Sequence, residues 1–290
     1  MTTEHFLAYL QYEKRASGNT VKSYKADLEQ FTSFCKSRFE LDEISSAQTV
    51  MIREWLAELK SEGLDNRSIN RKRSSLRAYY KYLQVHEALP TNPASSIPAL
   101  KTKKRNALFV PEHDMARHNN LNSDDFISIR NHLIVEMLYQ TGLRRAELRS
   151  LRTEDIDFNR LTVKITGKGN KQRLVPLTQN LADLIDHYFK IKDSRFPGNP
   201  FFMVTAAGKP ISITSLHNAV KNELSLITTL EKRSPHVLRH TFATHLLNNG
   251  APLIAVKELL GHNSIAATQI YTHNSIAQLK KIHQQAHPKG

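Results

Sequence analysis

The spacing of hydrophobic residues over the first 86 positions predicts a small bundle of helices. Apolar and aromatic residues recur there every three or four positions, which is the period of a helix with one buried face. The positions that carry this period are Phe6, Tyr9 and Leu10, then Tyr24, Leu28 and Phe31, then Trp55 and Leu59, and finally Leu76, Tyr79, Tyr80 and Leu83. We expect residues 1–86 to form one helical domain.

Residues 87–110 have a different pattern, without any helical or strand period. Three prolines interrupt this stretch and four basic residues follow them, namely Pro90, Pro93, Pro98, Lys101, Lys103, Lys104 and Arg105. Such a composition is typical of a linker between domains. A flexible basic linker would let two lobes close around a nucleic acid duplex, but a plain spacer has the same composition, and the sequence does not distinguish them.

From about residue 111 the pattern becomes mixed. It predicts a helix from Asp124 to about Gln140, stopped at Thr141-Gly142, and a new helix opening at Arg144. Leu161–Thr166 alternates apolar and polar residues, and Arg173–Leu177 reads as its partner strand across a glycine-containing turn, which predicts a hairpin with Lys168 near its tip. Further helices are expected from about Ser215, Pro235, Pro252 and Ser264. The expected fold is mainly α with a small antiparallel β-sheet, divided into residues 1–86, a linker over 87–110 and a C-terminal α+β domain over 111–290.

The net charge of the chain indicates what kind of molecule it binds. The 290 residues contain 41 Lys and Arg against 27 Asp and Glu, so the net charge is 41 − 27 = +14 and a polyanion such as nucleic acid is expected. The candidate DNA contacts are the basic residues concentrated in two stretches, Arg67, Arg71, Lys72, Arg73 and Arg77, and Lys103, Lys104 and Arg105. A solvated helix face explains the first stretch equally well.

The sequence also indicates the cellular location of the protein and the state of its one cysteine. No run of about 18 apolar residues and no signal pattern occurs, so we expect a cytoplasmic protein without a membrane partner. The single cysteine, Cys35, lies among phenylalanines and is interpreted as a buried, inert thiol.

A candidate anion site begins at residue 234. Ser234 is a good N-cap and Pro235 suits a first helical position, so a helix should start here. His236 and Arg239 are three residues apart and therefore share one face near the positive end of the helix dipole. This arrangement favours phosphate, although an isolated pair of this kind is common on protein surfaces.

Six residues together can perform chemistry on a phosphodiester. Arg144 and Arg239 can hold the nonbridging oxygens of a pentacoordinate phosphate. Lys168, on the hairpin tip, can protonate a departing 5′-hydroxyl, and His236 and His262 can position the nucleophile or hydrogen-bond the phosphate. The nucleophile would be Tyr271, nine positions after His262. A tyrosine with a pKa of about 10 is a weak nucleophile, and nearby cations would offset that.

Several segments of the chain resemble the tyrosine recombinase family and, within it, the Xer-type site-specific recombinases. They are Thr141-Gly142-Leu143-Arg144-Arg145-Ala146-Glu147-Leu148, Gly167-Lys168-Gly169-Asn170-Lys171, the run from His236 to His245, Leu259-Leu260-Gly261-His262, and Gln269-Ile270-Tyr271-Thr272-His273. They occur in the order and at the spacing of the family. Asn19–Tyr24 and Asn92-Pro93 extend the resemblance to the N-terminal part, so it covers nearly the whole chain.

The resemblance implies an N-terminal, SAM-like, core-binding helical domain and a C-terminal tyrosine recombinase catalytic domain. It implies that Tyr271 forms a 3′-phosphotyrosyl link to double-stranded DNA at a specific site and leaves a free 5′-hydroxyl, without ATP, metal or other cofactor. The sequence agrees, because GxxxxGK[ST], HExxH and paired CxxC spacings do not occur. The remaining histidines, including His113 and His118, are interpreted as ordinary residues rather than ligands.

The resemblance also bears on assembly and biological role. Four protomers, identical or of two paralogous kinds, would act on two duplexes, and the tail over 276–290 resembles the segment that docks on a neighbouring subunit. A tail folded on its own domain is the alternative. The implied role is the resolution of chromosome dimers at cell division, and whether a paralogue or a DNA translocase activator takes part stays open.

Other functions remain in competition at this point. A mobile-element integrase or transposase and a type IB topoisomerase-like enzyme would form the same covalent bond. A DNA-binding protein without chemistry belongs to a different class. It would need the arginines but would have no use for a tyrosine at the position of Tyr271.

Overall fold

The computed structural model describes residues 3–102, 108–118, 125–167, 171–261 and 273–290. By its internal contacts the chain divides into two compact units, Met1–Arg105 and Asn106–Gly290. The expected fold class is confirmed, since helices dominate and one small antiparallel sheet is present. None of the helices in the described ranges is both long and apolar enough to cross a membrane.

The first unit is a four-helix bundle built on aromatic residues. Its helices are α1 (Thr3–Tyr12), α2 (Gly18–Phe39), α3 (Thr49–Ser61) and α4 (Asn66–His86). Side-chain caps start two of them: Ser17 accepts from the backbone amide of Thr20 before α2, and Asp65 accepts from two amides at the start of α4. Phe31 and Trp55 pack in the core with ring centroids 5.0 Å apart.

Cys35 lies in the same core. It is completely buried, and burial raises the pKa of its thiol to about 11. This environment matches the expectation of an inert thiol.

The first part of the stretch predicted as a linker is attached to the bundle. Asn70 on α4 exchanges two hydrogen bonds of 2.8 Å with the backbone of Leu100, and Arg73 donates to the carbonyl of Ile97 at 2.9 Å. Ala94 and Ile97 are buried in the core of this unit. Residues up to about 101 therefore belong structurally to the first unit, although no helical or strand period marks them.

The second unit surrounds one buried helix. Its elements are α5 (Glu112–Arg117), α6 (Phe126–Thr141), α7 (Arg145–Ser150), β1 (Ile156–Asp157), β2 (Thr162–Thr166), β3 (Gln172–Pro176), α8 (Gln179–Arg195), α9 (Ile213–Ile227), α10 (Pro235–Asn248), α11 (Leu253–Leu260) and α12 (His273–Ala286). Helices α8, α9 and α10 all pack on α6. Because α6 is enclosed on nearly every side, even its polar residues Arg130, His132, Glu136 and Gln140 are buried.

The predicted hairpin is present. The three strands form an antiparallel sheet in the order β1-β2-β3, with Val163 opposite Val175 and Ile165 opposite Arg173. Val175 and Arg173 are two positions apart on β3, so both side chains point to the buried face. The expected helix starts near Ser215, Pro235 and Pro252 correspond to α9, α10 and α11, whereas the one expected near Ser264 lies outside the described residues.

The C-terminal tail lies on its own unit in this single chain. His283 and His287 are buried, and their Nε2 atoms lie 2.7 Å and 3.3 Å from the carbonyl oxygens of Gln140 and Tyr139 at the end of α6. Leu279 is buried as well. The arrangement is therefore the alternative considered above, a tail folded on its own domain.

Candidate active site

Arg144 is held at the turn between α6 and α7. Gly142 ends α6 in the left-handed region, at φ 62°, and a Cβ atom there would lie 2.5 Å from the ring of Phe242 and 2.9 Å from Leu260. Only glycine allows both the backbone conformation and this close approach. Arg144 follows as the N-cap of α7, and its backbone amide donates to Glu147 Oε2 at 2.8 Å.

Arg239 reaches the same turn from α10. Helix α10 begins at Pro235 after Ser234, as expected, although Ser234 makes no capping hydrogen bond with its side chain. Arg239 donates from Nη1 to the carbonyl of Gly142 at 2.5 Å and from Nη2 to that of Leu260 at 2.7 Å. The exposed His236 lies one turn before it.

Three guanidinium groups meet at the C-terminal end of α11. Arg173 donates to the carbonyl of Leu259 at 3.1 Å, Arg239 to that of Leu260 at 2.7 Å, and Arg144 to that of Gly261 at 3.3 Å. These carbonyls are consecutive and form the negative end of the helix dipole, where cations are stabilised. Gly261 has a left-handed φ of 63°, and an added Cβ would lie 3.1 Å from Arg173, so a larger residue would strain this turn.

Glu147 is the one carboxylate bonded to these arginines in the described part of the unit. Both of its oxygens accept from Arg173, at 3.0 Å and 2.9 Å, and Oε1 also accepts from Arg144 at 2.8 Å. Burial alone would raise the pKa of Glu147, but the hydrogen bonds and charges of the two arginines outweigh it and lower the pKa. The carboxylate is therefore ionised and fixes the orientation of Arg144.

The cluster keeps excess positive charge and unused donors. Three guanidinium groups against one carboxylate leave a charge of 3 − 1 = +2. Each guanidinium has five N–H donors, and Arg144 and Arg239 each use two of their five on the partners named above, whereas Arg173 is buried with all three of its nitrogens engaged. Arg144 and Arg239 can still grip an anion, and Arg173 acts as their support.

The electrostatics of the site indicate an anionic ligand. Desolvation, followed by the positive charges of Arg144 and Arg173, lowers the pKa of Arg239 to about 10 even though Glu147 opposes the shift. Desolvation and the nearby cations, Arg145 first, also lower the pKa of His236, so its imidazole is neutral near pH 7. A bound phosphate would relieve the repulsion among these groups.

The other three predicted catalytic residues, Lys168, His262 and Tyr271, lie outside the described residues. Lys168 follows β2 by two positions, and His262 follows directly on Gly261, whose carbonyl accepts from Arg144. The structure therefore brings Arg144 and Arg239 together, with His236 one turn away. The positions of the remaining three stay a prediction.

The basic residues of α4 divide into two groups. Arg67, Arg71 and Arg77 are exposed, and Arg71 also pairs with the buried Asp27. Lys72 is buried, with its ammonium 3.1 Å from Asp27 Oδ1 and over the ring of Trp55.

Lys72 thus differs from our expectation, because a buried ammonium that neutralises a core carboxylate does not reach DNA. Arg73 is half-buried and bonded to Ile97, as described above. The candidates Lys103, Lys104 and Arg105 lie outside the described residues.

Sequence reasoning did not assign roles to Glu147 and Arg173. A signal for Arg173 was present, since it shares a strand face with the apolar Val175, and a cation on a buried face requires a partner. A signal for Glu147 was its position three residues after the N-cap, where an acidic side chain can accept from the cap amide.

Comparison with known proteins gives consistent matches over both units. The Phage integrase family matches residues 109–278, and the family described as Phage integrase, N-terminal SAM-like domain, matches residues 3–86. The chain is 35% identical to the tyrosine recombinase XerC of Oceanobacillus iheyensis, over 98% of this chain and 95% of that protein. It is 32% identical to the XerC of Chlorobaculum parvum, over 98% of this chain and 94% of the relative.

Solved structures share the fold at lower sequence identity. The XerH site-specific recombinase bound to a palindromic difH substrate, a post-cleavage complex, is similar with a TM-score of 0.73 and 21% identity, covering 96% of this chain and 82% of XerH. The Tn1549 transposon integrase in complex with transposon right end DNA is similar with a TM-score of 0.69 and 20% identity, covering 97% of this chain and 99% of that one.

Proposed function

Since the chain belongs to the phage integrase family, whose curated relatives are tyrosine recombinases, we propose that it is a site-specific DNA recombinase that cuts and rejoins strands through a 3′-phosphotyrosyl intermediate on Tyr271. One observation supports this most directly. Arg144 and Arg239, 95 positions apart, bond neighbouring carbonyls at the end of α11 and keep unused donors on the same half-buried site. That is a clamp for one phosphate, placed directly before His262.

The chemistry would run as an in-line displacement. The phenolic oxygen of Tyr271 forms a bond to phosphorus and gives its proton to a histidine, while the bond to the 5′ oxygen breaks and that oxygen takes a proton from Lys168. Arg144 and Arg239 stabilise the charge that builds up on the nonbridging oxygens. Attack by the 5′-hydroxyl of another strand reverses these steps and releases the tyrosine, so the phosphodiester energy is conserved and no ATP is consumed.

The exposed arginines of α4 supply a DNA-contacting surface on the first unit. We expect binding to weaken steeply with salt, because cations that contact phosphates release counterions from the duplex. Replacing Arg67 by Gln should weaken binding and reduce the salt slope by about 1.

A matched control is available on the same helix. Lys72→Met should leave the salt slope unchanged, because its ammonium is bonded inside the bundle. A reduced slope in Lys72→Met, or an unchanged one in Arg67→Gln, would contradict the surface proposed here.

The cellular role that we infer is the resolution of chromosome dimers, carried out by a tetramer on two duplexes. The support is the consistent similarity to XerC proteins over nearly the full length of both chains. Mapping covalent complexes over the genome tests this role, since it requires one chromosomal site. Complexes at the ends of a mobile element would instead indicate an integrase or transposase.

Tyr271→Phe tests the nucleophile directly. On a nicked suicide substrate the native chain should form a covalent DNA adduct, and the variant should bind the same DNA without forming one. Tyr12→Phe is a matched control, because Tyr12 is 73% exposed at the end of α1 and should leave adduct formation unchanged. An adduct that persists in Tyr271→Phe rejects the assignment, and a native chain that binds but never forms an adduct supports a non-catalytic DNA-binding protein.

Plasmids with one or two sites separate recombination from relaxation. A recombinase exchanges strands between paired sites and yields resolved circles from a two-site plasmid. A topoisomerase-like enzyme rotates one strand and reseals it, so it relaxes a one-site plasmid equally well.

A further inference from the structure

Three potential metal ligands from distant parts of the chain meet in the second unit, on residues that the phosphate clamp does not use. His118 directly follows α5, His132 lies on α6, and Glu223 lies on α9. One ligand atom from each lies within 4.8 Å of the other two. Both histidines are buried, at 5% and 8% exposure, while the Glu223 side chain is 21% exposed and connects the cluster to solvent.

The orientation of His118 is set by a carboxylate behind it. Its Nδ1 lies 2.7 Å from Glu136 Oε1, and this contact assigns the Nδ1 proton to the hydrogen bond with that carboxylate. Glu136 is itself fixed by Gln140 and by Lys289, each at 2.7 Å. A carboxylate behind the imidazole is the usual support of a metal-binding histidine, because it fixes the tautomer and makes the outer nitrogen a better ligand.

The outer nitrogen of His118 lacks a hydrogen-bond partner within the described residues. Its Nε2 is buried and lies 3.4 Å from Glu223 Oε2 without hydrogen-bond geometry. In the neutral imidazole, whose proton is on Nδ1, a lone pair on Nε2 would face a carboxylate oxygen. Two such acceptors repel each other, so either a second proton or a metal ion must lie between them.

In contrast to our sequence-based interpretation of His118 as an ordinary residue, we propose that His118, His132 and Glu223 bind a divalent transition-metal ion of the zinc class, through one nitrogen of each histidine and one oxygen of the carboxylate. Two imidazoles and one carboxylate suit Zn²⁺, which binds these donors at about 2.0–2.2 Å in a tetrahedron. In a tetrahedron such bond lengths place neighbouring ligand atoms about 3.3–3.6 Å apart, a range that includes the 3.4 Å between His118 Nε2 and Glu223 Oε2. Water would take the fourth position.

His132 is the ligand that must move. Its ring is stacked on that of His118, with centroids 4.2 Å apart and an interplanar angle of 9°. A metal ion lies in the plane of each ligating imidazole, so the ring of His132 turns out of the stack to point a nitrogen at the ion. Loss of this stacking on metal binding is a specific structural consequence of the proposal.

The expected effect of the metal is on stability. The ion joins the segment after α5 to α6 and α9, and through Glu136 and Lys289 the supporting hydrogen bonds extend to the C-terminal end of the chain. A ligand that binds only the folded state raises the free energy of unfolding. The metal would therefore hold the second unit together without entering the reaction on DNA.

The test uses the untagged full chain after treatment with EDTA. Titration with Zn²⁺ by calorimetry should give one ion per chain, Co²⁺ should produce the visible absorption of a four-coordinate ion, and Tm should rise with either metal. Glu223→Gln, at the partly exposed position, and His132→Gln should each weaken binding by about tenfold or more, since loss of a supporting outer group alone costs 10–100-fold. Melting in the absence of metal checks that each variant is folded.

The chain contains 14 histidines, so the control must separate this cluster from the others. His113→Gln removes the imidazole of an exposed histidine on α5, 74% exposed, and should leave stoichiometry and affinity unchanged. The absence of one-to-one binding at micromolar metal overturns the proposal, since a proton on His118 between Glu136 and Glu223 would then account for the cluster. Affinity that is unaltered in both folded variants, Glu223→Gln and His132→Gln, overturns it as well.

Discussion

Replacing Arg173 by Lys should reduce both the stability and the cleavage rate of this chain. Arg173 is 7% exposed, so little of its side chain is available to a bound phosphate. Its three nitrogens are engaged by the carbonyl of Leu259, at 3.1 Å, and by the two oxygens of Glu147, at 3.0 Å and 2.9 Å. A lysine keeps the charge but presents one ammonium in place of a planar fork.

The magnitude follows from the bonds that are lost. One ammonium at that depth replaces at most one of the three contacts, so two hydrogen bonds that involve a charged group disappear. Each is worth about 1.5–3 kcal/mol, and the loss of a partner in a buried ion pair costs about 3–5 kcal/mol. We expect the free energy of unfolding of the second unit to fall by about 3 kcal/mol.

The effect on the reaction passes through Glu147. When Arg173 no longer holds both oxygens, the carboxylate turns toward Arg144, its other partner at 2.8 Å, and draws that guanidinium away from the phosphate. A displacement of about 1 Å costs about 100-fold in rate. Affinity for DNA should change little, because the donors of Arg173 all point inward.

The measurements are denaturant unfolding and single-turnover cleavage of a suicide substrate at saturating DNA. Arg160→Lys is the matched control, since Arg160 is 70% exposed and paired loosely with Asp157 at 3.8 Å. If the free energy of unfolding of Arg173→Lys is within about 0.5 kcal/mol of that of the native chain, and its cleavage rate is within about twofold, Arg173 does not support the clamp. A loss of stability with an unchanged cleavage rate would reject the positioning role alone.

Two further perturbations follow from the same structure. Gly142→Ala should destabilise the second unit by more than 1 kcal/mol and reduce cleavage, whereas Gly198→Ala, with the same left-handed backbone but nothing within 4 Å, should cost only the backbone strain. Stability should fall as pH drops below 6.5, because burial, with the neighbouring His283, lowers the pKa of His287 to about 3, so the unfolded chain takes up the proton first. This histidine should contribute about 2 kcal/mol of the loss by pH 5, and His287→Gln should make the unfolding free energy less steep in pH between 6.5 and 4.

Periodicity predicted most of the fold because the buried faces of these helices and strands are continuous. The hairpin, the start of α10 at Pro235 and the end of α6 at Gly142 were predicted because turn and cap positions demand particular residues. The attachment of residues 92–101 to α4 was not predicted. It depends on hydrogen bonds from Asn70 and Arg73 to backbone carbonyls, which any sequence presents.

The sequence predicted the residues that we propose to contact the phosphate, but not the residues that support them. Phosphate chemistry and the resemblance both indicated Arg144 and Arg239, whose side chains the structure brings to one helix end. Lys72 looks like any surface cation in the sequence, and Arg173 differs only because it shares a strand face with an apolar residue. A buried carboxylate, Asp27 for Lys72 and Glu147 for Arg173, binds each of them inside the protein. Which of several basic residues finds such a partner is decided by tertiary packing.

The end of α11 connects the proposed phosphate clamp to the segment that carries the proposed nucleophile. Three arginines, one each from a turn, a strand and a helix, donate hydrogen bonds to the consecutive carbonyls of Leu259, Leu260 and Gly261. This helix end therefore cannot shift unless all three side chains shift with it. His262 is the next residue and Tyr271 follows nine positions later, so the segment that carries the proposed nucleophile starts from a fixed point. Arg144 and Arg239, which we propose to hold the phosphate, thus also fix the position from which this segment begins, and a phosphate that tightens the proposed clamp would stabilise that starting point.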